Sequence, residues 1–199
     1  MLSDRDADDR RPPRRLVDGE LELRPLERDD APSLDAAIRV SVDHLRPFMP
    51  WATVEPLGLA ERARMIDEWC RHWDDGDEFP YAMFVDDEVV GCCGLHPRIG
   101  PGGIEIGYWV RVDRIGAGIA TRAARLLTDA AFSMPTVEHV EIHHDLANVR
   151  SGRVPAKLGY TKRREVADHI SAPGEVGISV EWRLERDDWT RRQSTADVT

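Results

Sequence analysis

The chain has 199 residues, enough for one domain that buries a sizeable core without disulfide or metal staples. Its 37 acidic against 27 basic side chains leave a net charge of −10, which argues against a general nucleic-acid ligand and suits a cationic one such as an amine. No apolar run approaches the ~18 residues of a membrane span, the charged start MLSDRDADDRRPPRR lacks the apolar stretch of a secretory signal, and the three cysteines show no CxxC spacing. A cytoplasmic protein with reduced thiols and no membrane or nucleic-acid partner is expected.

Residues 1–18 mix Asp and Arg with Pro12 and Pro13 and read as a disordered lead-in. Leu21, Leu23 and Leu26 then open a strand. Asp30 stands where a helix cap belongs, with Pro32 in the first turn, and Leu34, Ala37, Ile38, Ser41, Val42 and Leu45 form one apolar stripe before Pro47. A second helix carries Leu59, Ala63, Ile66, Cys70 and Trp73 and breaks at DDGDE. Residues 81–85 and 89–95 are two strands around a tight turn at Asp86-Asp87.

The next strand spans 104–112 and runs into Gly116-Ala117-Gly118, followed by a helix to about 133 that Met134-Pro135 stops. Residues 137–143 form a strand, Asn148 caps a short helix reaching Leu158, and Gly159 ends it in a left-handed turn. Strands at 160–166 and 178–184 finish the folded unit, and from about Asp187 the chain again reads as disordered. The expected architecture is α/β: a mixed, mostly antiparallel sheet of about seven strands flanked by about four helices. It forms one domain over 19–186, with tails at 1–18 and 187–199.

The glycine turn between strand and helix is the strongest chemical signal. Glycines let the backbone approach a bulky anion, and the first N–H groups of the helix, with its dipole, face that anion. Its spacing, Gly116-x-Gly118, also begins a dinucleotide fingerprint, but Thr121 occupies the third glycine position and no early βαβ unit precedes it.

At this point the chain resembles the GCN5-related N-acetyltransferases (GNAT superfamily), and within them the ribosomal-protein alanine acetyltransferase group. His44 to Trp51 (HLRPFMPW) is similar to that group's HLxPWMPW loop, Ile106 to Val110 (IGYWV) to its IGYWL strand, and Gly116 to Thr121 (GAGIAT) to its GKGIAT turn. Asn148, Ser151 and KLGY at 157–160 resemble N-x-x-S followed by KLGF, and Trp189 ends an RDDW signature. Ala117 replaces the usual Lys, Ile115 the group's aromatic, Arg122 a frequent Glu, and Pro155 falls inside the short helix.

The resemblance implies an acetyl-CoA-dependent N-acyltransferase in which a primary amine attacks the thioester directly in a ternary complex. It implies backbone amides of Trp109, Val110 and Arg111 around the thioester and pantetheine, and those of Ile115, Gly116, Ala117, Gly118, Ile119, Ala120 and Thr121 around the pyrophosphate, with Asn148 near the pantetheine. Glu105 is implied as the strand carboxylate that takes the amine proton, a role that requires burial to raise its pKa. Ser151, or Tyr160 in its place, would protonate the leaving thiolate. His44, Phe48 and Trp51 would line the acceptor pocket. The acceptor is a protein α-amine or a small-molecule amine, the donor acetyl or a larger acyl such as succinyl with Arg98 or Arg111 nearby, and a homodimer is compatible with the group. A non-catalytic acyl-CoA sensor is the alternative. Adjacent His143 and His144 face opposite ways on a strand, so no metal is expected.

Overall fold

The computed structural model describes residues 11–196. Among these, eight strands form one sheet: β1 (Leu16–Asp18), β2 (Leu21–Arg24), β3 (Phe79–Val85), β4 (Glu88–His96), β5 (Gly103–Val110), β6 (His139–Asp145), β7 (Thr161–Ala167) and β8 (Ile178–Glu185). Five α-helices accompany them: α1 (Ala31–Leu45), α2 (Leu59–Asp75), α3 (Ile119–Ser133), α4 (Val149–Lys157) and α5 (Arg186–Ala196). The sheet order is β1-β2-β3-β4-β5-β6-β8-β7, antiparallel throughout except for the parallel pair β5–β6.

Alternation along the central strands builds two cores. Tyr81, Met83 and Cys93 pack with the apolar stripe of α3, whereas Ala82, Phe84 and Cys92 turn to α1 and α2. The two neighbouring cysteines thus lie in different cores as free thiols, and burial pushes both well above the ordinary thiol pKa. The turn after β3 is built as expected, with Asp86 and Asp87 both at positive φ.

The described parts of both tails, 11–18 and 187–196, are more ordered than their composition suggests. Residues 16–18 of the expected lead-in form β1, and the segment before it is tied down because the buried Tyr81 hydroxyl finds its acceptor in the carbonyl of Pro13, 2.7 Å away. Arg122 and Arg125 hold Asp18, clamping the β1–β2 hairpin to α3. At the other end, Arg186 donates to the carbonyls of Phe132, Met134 and Val137 at 2.6–2.7 Å, and Trp189 donates to Asp129 at 3.0 Å. The open end of α3 is satisfied this way, which draws α5 onto the domain. The remaining parts of the expected tails, 1–10 and 197–199, lie outside the described residues.

Asp30 precedes α1 without capping it. Its carboxylate accepts a forked pair from Arg24 at 2.7 and 2.9 Å and the N–H of Glu27 at 2.7 Å, so it serves the preceding turn.

Candidate active site

The parallel strands β5 and β6 pair only from Gly103↔His139 to Glu105↔Glu141, although β5 continues to Val110 and β6 to Asp145. Their C-terminal halves therefore part, and the backbone groups facing the gap have no partner strand. Two cavities, of about 740 and 720 Å³, open there and share Phe48, Met49, Tyr108, Trp109, Asn148 and Ser151 as common wall.

The smaller cavity is the glycine cradle. Gly116 and Gly118 sit at φ +88° and +81° with open space where a Cβ would point, so the turn needs glycine for its backbone angle. Gly118 is the cap of α3, and the first N–H groups of that helix have no acceptor four residues back. Trp109, Val110, Ile115, Gly116, Gly118, Ile119, Ala120, Thr121 and Asn148 line this space. Arg150, Arg153 and Lys157 of α4 line it too, and among the described residues none of the three has an ion-pair partner. An unbalanced cationic wall in a protein of net charge −10 suits a polyanion.

Three expected residues fall elsewhere. The amide of Arg111 donates to the carbonyl of Val90 at 2.8 Å, and its guanidinium turns to Asp113 and Glu88, so neither is free for a ligand. Ala117 is not part of the cavity wall. His44 lines the cradle side, where burial, with Arg150 nearby, holds its pKa below the ordinary histidine value. Trp51 lines the larger cavity, 5.9 Å from Trp109 ring to ring, and Phe48 lies between the two.

The larger cavity is lined by Glu105, Arg98, His96 and Glu78 on one side and by His143, His144 and Asp145 of β6 on the other. Glu105 accepts a forked pair from Arg98 at 2.7 and 2.9 Å. Burial pushes its pKa up, but Arg98 outweighs burial, with His143 and His96 adding to it, and the carboxyl stays below the ordinary range. Glu105 thus sits against a fixed cation, a setting that favours its ionised form. Arg98 makes this fork through Nε and Nη2.

The two histidines of β6 differ. His144 accepts from Trp182 Nε1 at 3.0 Å through Nε2 and hence donates from Nδ1 to the Asp145 carbonyl at 2.8 Å, so both ring nitrogens are occupied. His143 lies 2.5 Å from Glu141 through Nε2, and its Nδ1 is 3.8 Å from Glu105.

Asn148 caps α4 by accepting the N–H of Ser151 at 3.3 Å. Pro155 lies within the same helix and has no N–H to give the carbonyl of Ser151. That carbonyl instead takes the hydroxyl of Tyr108 at 3.1 Å, and the two hydroxyls, Tyr108 Oη and Ser151 Oγ, are 3.2 Å apart. The helix-breaking residue thus fixes a pair of hydroxyls on the wall between the cavities. Burial pushes Tyr108 up to about 12, so it keeps its proton near neutrality. Tyr160 is not part of this arrangement: it is buried in the core with its hydroxyl 2.6 Å from Thr128. Tyr108 and His143 were not singled out in the sequence as site residues; the only signal for Tyr108 was its place in the IGYWV motif.

Among the described residues, one group has the spacing of metal ligands: Glu141, His143 and Glu181. Both carboxylates are already hydrogen-bonded, Glu141 to Arg183 and Glu181 to Arg164, each at 2.6 Å.

Residues 20–161 match the acetyltransferase (GNAT) domain family. The chain belongs to that family. As a GNAT protein it is an N-acetyltransferase with acetyl-CoA as co-substrate. It is 26% identical over 175 residues to the "Putative ribosomal N-acetyltransferase YdaF" of Bacillus subtilis (strain 168), covering 87% of this chain and 95% of that protein. Among solved structures it is similar to the ribosomal L7/L12 alpha-N-protein acetyltransferase RimL in complex with coenzyme A, with TM-score 0.78 and 18% identity over 86% of this chain and 97% of that one. Mycobacterium smegmatis RimJ in complex with CoA-disulfide gives TM-score 0.74 and 21% identity over 89% of each chain. At these identities the two structures share the fold.

Proposed function

We propose that this GNAT protein transfers the acetyl group of acetyl-CoA to a primary amine, by preference the α-amino group of a protein, through direct attack in a ternary complex. One observation carries the reading: a cationic glycine cradle and a carboxylate-lined chamber meet at Tyr108, Trp109 and Ser151. An anionic donor and a cationic acceptor are then sorted to opposite sides of one wall by charge. The names of YdaF and of RimL support a protein acceptor; free small amines are the second choice. The cytoplasm is the compartment that fits such an acceptor, and among the described residues no helix is long and apolar enough to cross a membrane.

Each residue has a stated task. The first N–H groups of α3 and the turn at Gly116 to Gly118 hold the diphosphate, while Arg150, Arg153 and Lys157 neutralise the rest of its charge. The N–H of Val110, which faces away from β4 because that of the next residue, Arg111, bonds Val90, is the β5 donor that would meet a thioester oxygen gaining negative charge during attack. Glu105, fixed as an anion by Arg98, draws the ammonium group toward the wall. Tyr108 and Ser151 are the proton donors within reach of a departing sulfur, and Asn148 holds Ser151 in position.

The test is thiol release from acetyl-CoA, with peptides bearing a free N-terminal alanine or serine and with small amines as acceptors. Release that requires the amine, together with Glu105→Gln and Ser151→Ala variants that bind acetyl-CoA but turn over at least tenfold more slowly, is the expected result. Acetyl-CoA binding with silence across every amine would favour a sensor.

A further inference from the structure

We infer that His143, held by Glu141, is the catalytic base that removes the proton from the acceptor ammonium, with Glu105 serving as its electrostatic partner. The inference rests on the acetyl-transfer reading and names the residue that reading leaves open.

The argument begins with hydrogens. Burial raises the Glu141 pKa, but His143 and Arg183 outweigh it and hold the carboxyl below its ordinary range, so it is ionised and only accepts. With Nε2 2.5 Å from that carboxylate, the ring hydrogen of neutral His143 belongs on Nε2. Nδ1 is then the bare nitrogen, and it points toward Glu105 Oε2 at 3.8 Å. That distance is too long for a hydrogen bond, and a lone pair facing an anion is unfavourable unless something donates to both. One ammonium nitrogen fits, lying about 2.9 Å from each and giving one N–H to the carboxylate and one to the imidazole.

Both neighbours are suited to this division. Glu105 stays ionised, which makes it a good electrostatic partner and a poor proton acceptor. His144, one position on, has both nitrogens bonded and cannot substitute. Imidazole is the side chain that exchanges its proton near neutrality. Facing His143 are Glu105 from β5, backed by Arg98; Glu141 on its own strand, backed by Arg183; and Glu181 from β8, backed by Arg164. His144 and Asp145 follow it on β6, and Asp168, His169 and Glu175 of the β7–β8 loop line the same cavity.

The proton count closes. The ammonium gives one proton to His143 Nδ1, and the neutral nitrogen attacks the thioester carbon. The C–S bond breaks as the tetrahedral centre collapses. The Tyr108–Ser151 pair delivers a proton to the sulfur, and the second proton lost from nitrogen returns to that pair and restores its hydroxyls. The products are an acetamide, a thiol and one proton, which leaves from the imidazolium to solvent.

Two measurements test this on the full chain. Nitrogen-15 spectra of histidine-labelled protein should show neutral His143 as the Nε2–H form, and Glu141→Gln should shift that tautomer balance; a wild-type ring protonated on Nδ1 when neutral would overturn the inference. In thiol release with an alanine-initiated tripeptide, whose α-amine has a pKa of about 8, His143→Gln should lower kcat/KM by ~10²–10³ at pH 7. Its acid limb should move up to the pKa of the amine itself, and its deficit should shrink above pH 9, where the amine is already neutral. Acetyl-CoA affinity should stay within twofold. A His143→Gln enzyme that keeps both rate and acid limb contradicts the proposal. A silent wild type would count against the acetyl-transfer reading, while the tautomer still decides this one.

Discussion

The two cavities are built by different means. On the cradle side the groups that meet the ligand are largely backbone, and they come from one continuous stretch, β5 through the first turn of α3, with α4 adding cations. On the acceptor side the groups are side chains gathered from β4, β5, β6 and the loop between β7 and β8, with Glu105 oriented by Arg98, His143 by Glu141 and His144 by Trp182. A backbone site tolerates drift in side-chain identity, which is why replacement of the group's usual Lys by Ala117 leaves the cradle intact. A side-chain site depends on every link in its chain of hydrogen bonds.

The largest effect should come from breaking the acceptor wall at its base. Arg62, 1% exposed, holds Glu55 at 2.7 Å behind this cavity. Arg62→Met leaves a buried carboxylate unpaired and should cost about 3–5 kcal/mol of stability by chemical denaturation; a loss below 1 kcal/mol would mean the pair is not structural.

A sharper cut lies between the cavities. Tyr108→Phe removes the hydroxyl that bridges to Ser151 and should lower kcat ~10–100-fold in thiol release while acetyl-CoA affinity changes little. An unchanged kcat would assign the proton to water instead.

On the cradle side the change is gradual. Arg153→Gln with Lys157→Gln should weaken coenzyme A binding ~5–10-fold at low salt, with the deficit fading as ionic strength rises, because exposed charges act through a screened field. Isothermal titration at two salt concentrations decides it; a salt-independent loss would point to a shape effect.

The smallest effect is acid loosening of the acceptor loop. Burial raises Asp145, but N–H groups of Ala147, Val176, Ile178 and Gly177 outweigh it and depress its pKa. A depressed native pKa stabilises fully above the unfolded value near ~3.9 and is lost as pH falls through the native one. The Asp145→Asn variant should therefore melt lower than wild type at pH 7, and the gap should narrow below pH 4; a gap constant with pH would refute the carboxylate's part.

This contrast also explains what the sequence revealed. The glycine turn, the Asn148 cap, the apolar stripes of α1 to α3 and the Asp86-Asp87 hairpin are local, so spacing alone exposed them. The Arg98–Glu105 fork spans only seven residues, but its effect on Glu105 depends on a burial that only the folded sheet defines. His143 beside Glu105 is a consequence of parallel register between strands more than thirty residues apart in sequence. The order at 11–18 and 187–196 is illegible in sequence for the same reason: Tyr81 and the end of α3 need partners, and these come from segments whose composition looks like solvent-exposed chain.

The central claim is that donor and acceptor occupy the two cavities and meet at the shared wall. A conjugate of coenzyme A joined through its sulfur and an acetyl bridge to an alanine-initiated peptide tests it most directly. Bound at both ends, the conjugate should bind at least ~100-fold more tightly than coenzyme A alone, and a conjugate cut back to the acetyl bridge without the peptide should lose most of that gain. A conjugate that binds no more tightly than coenzyme A would contradict the account.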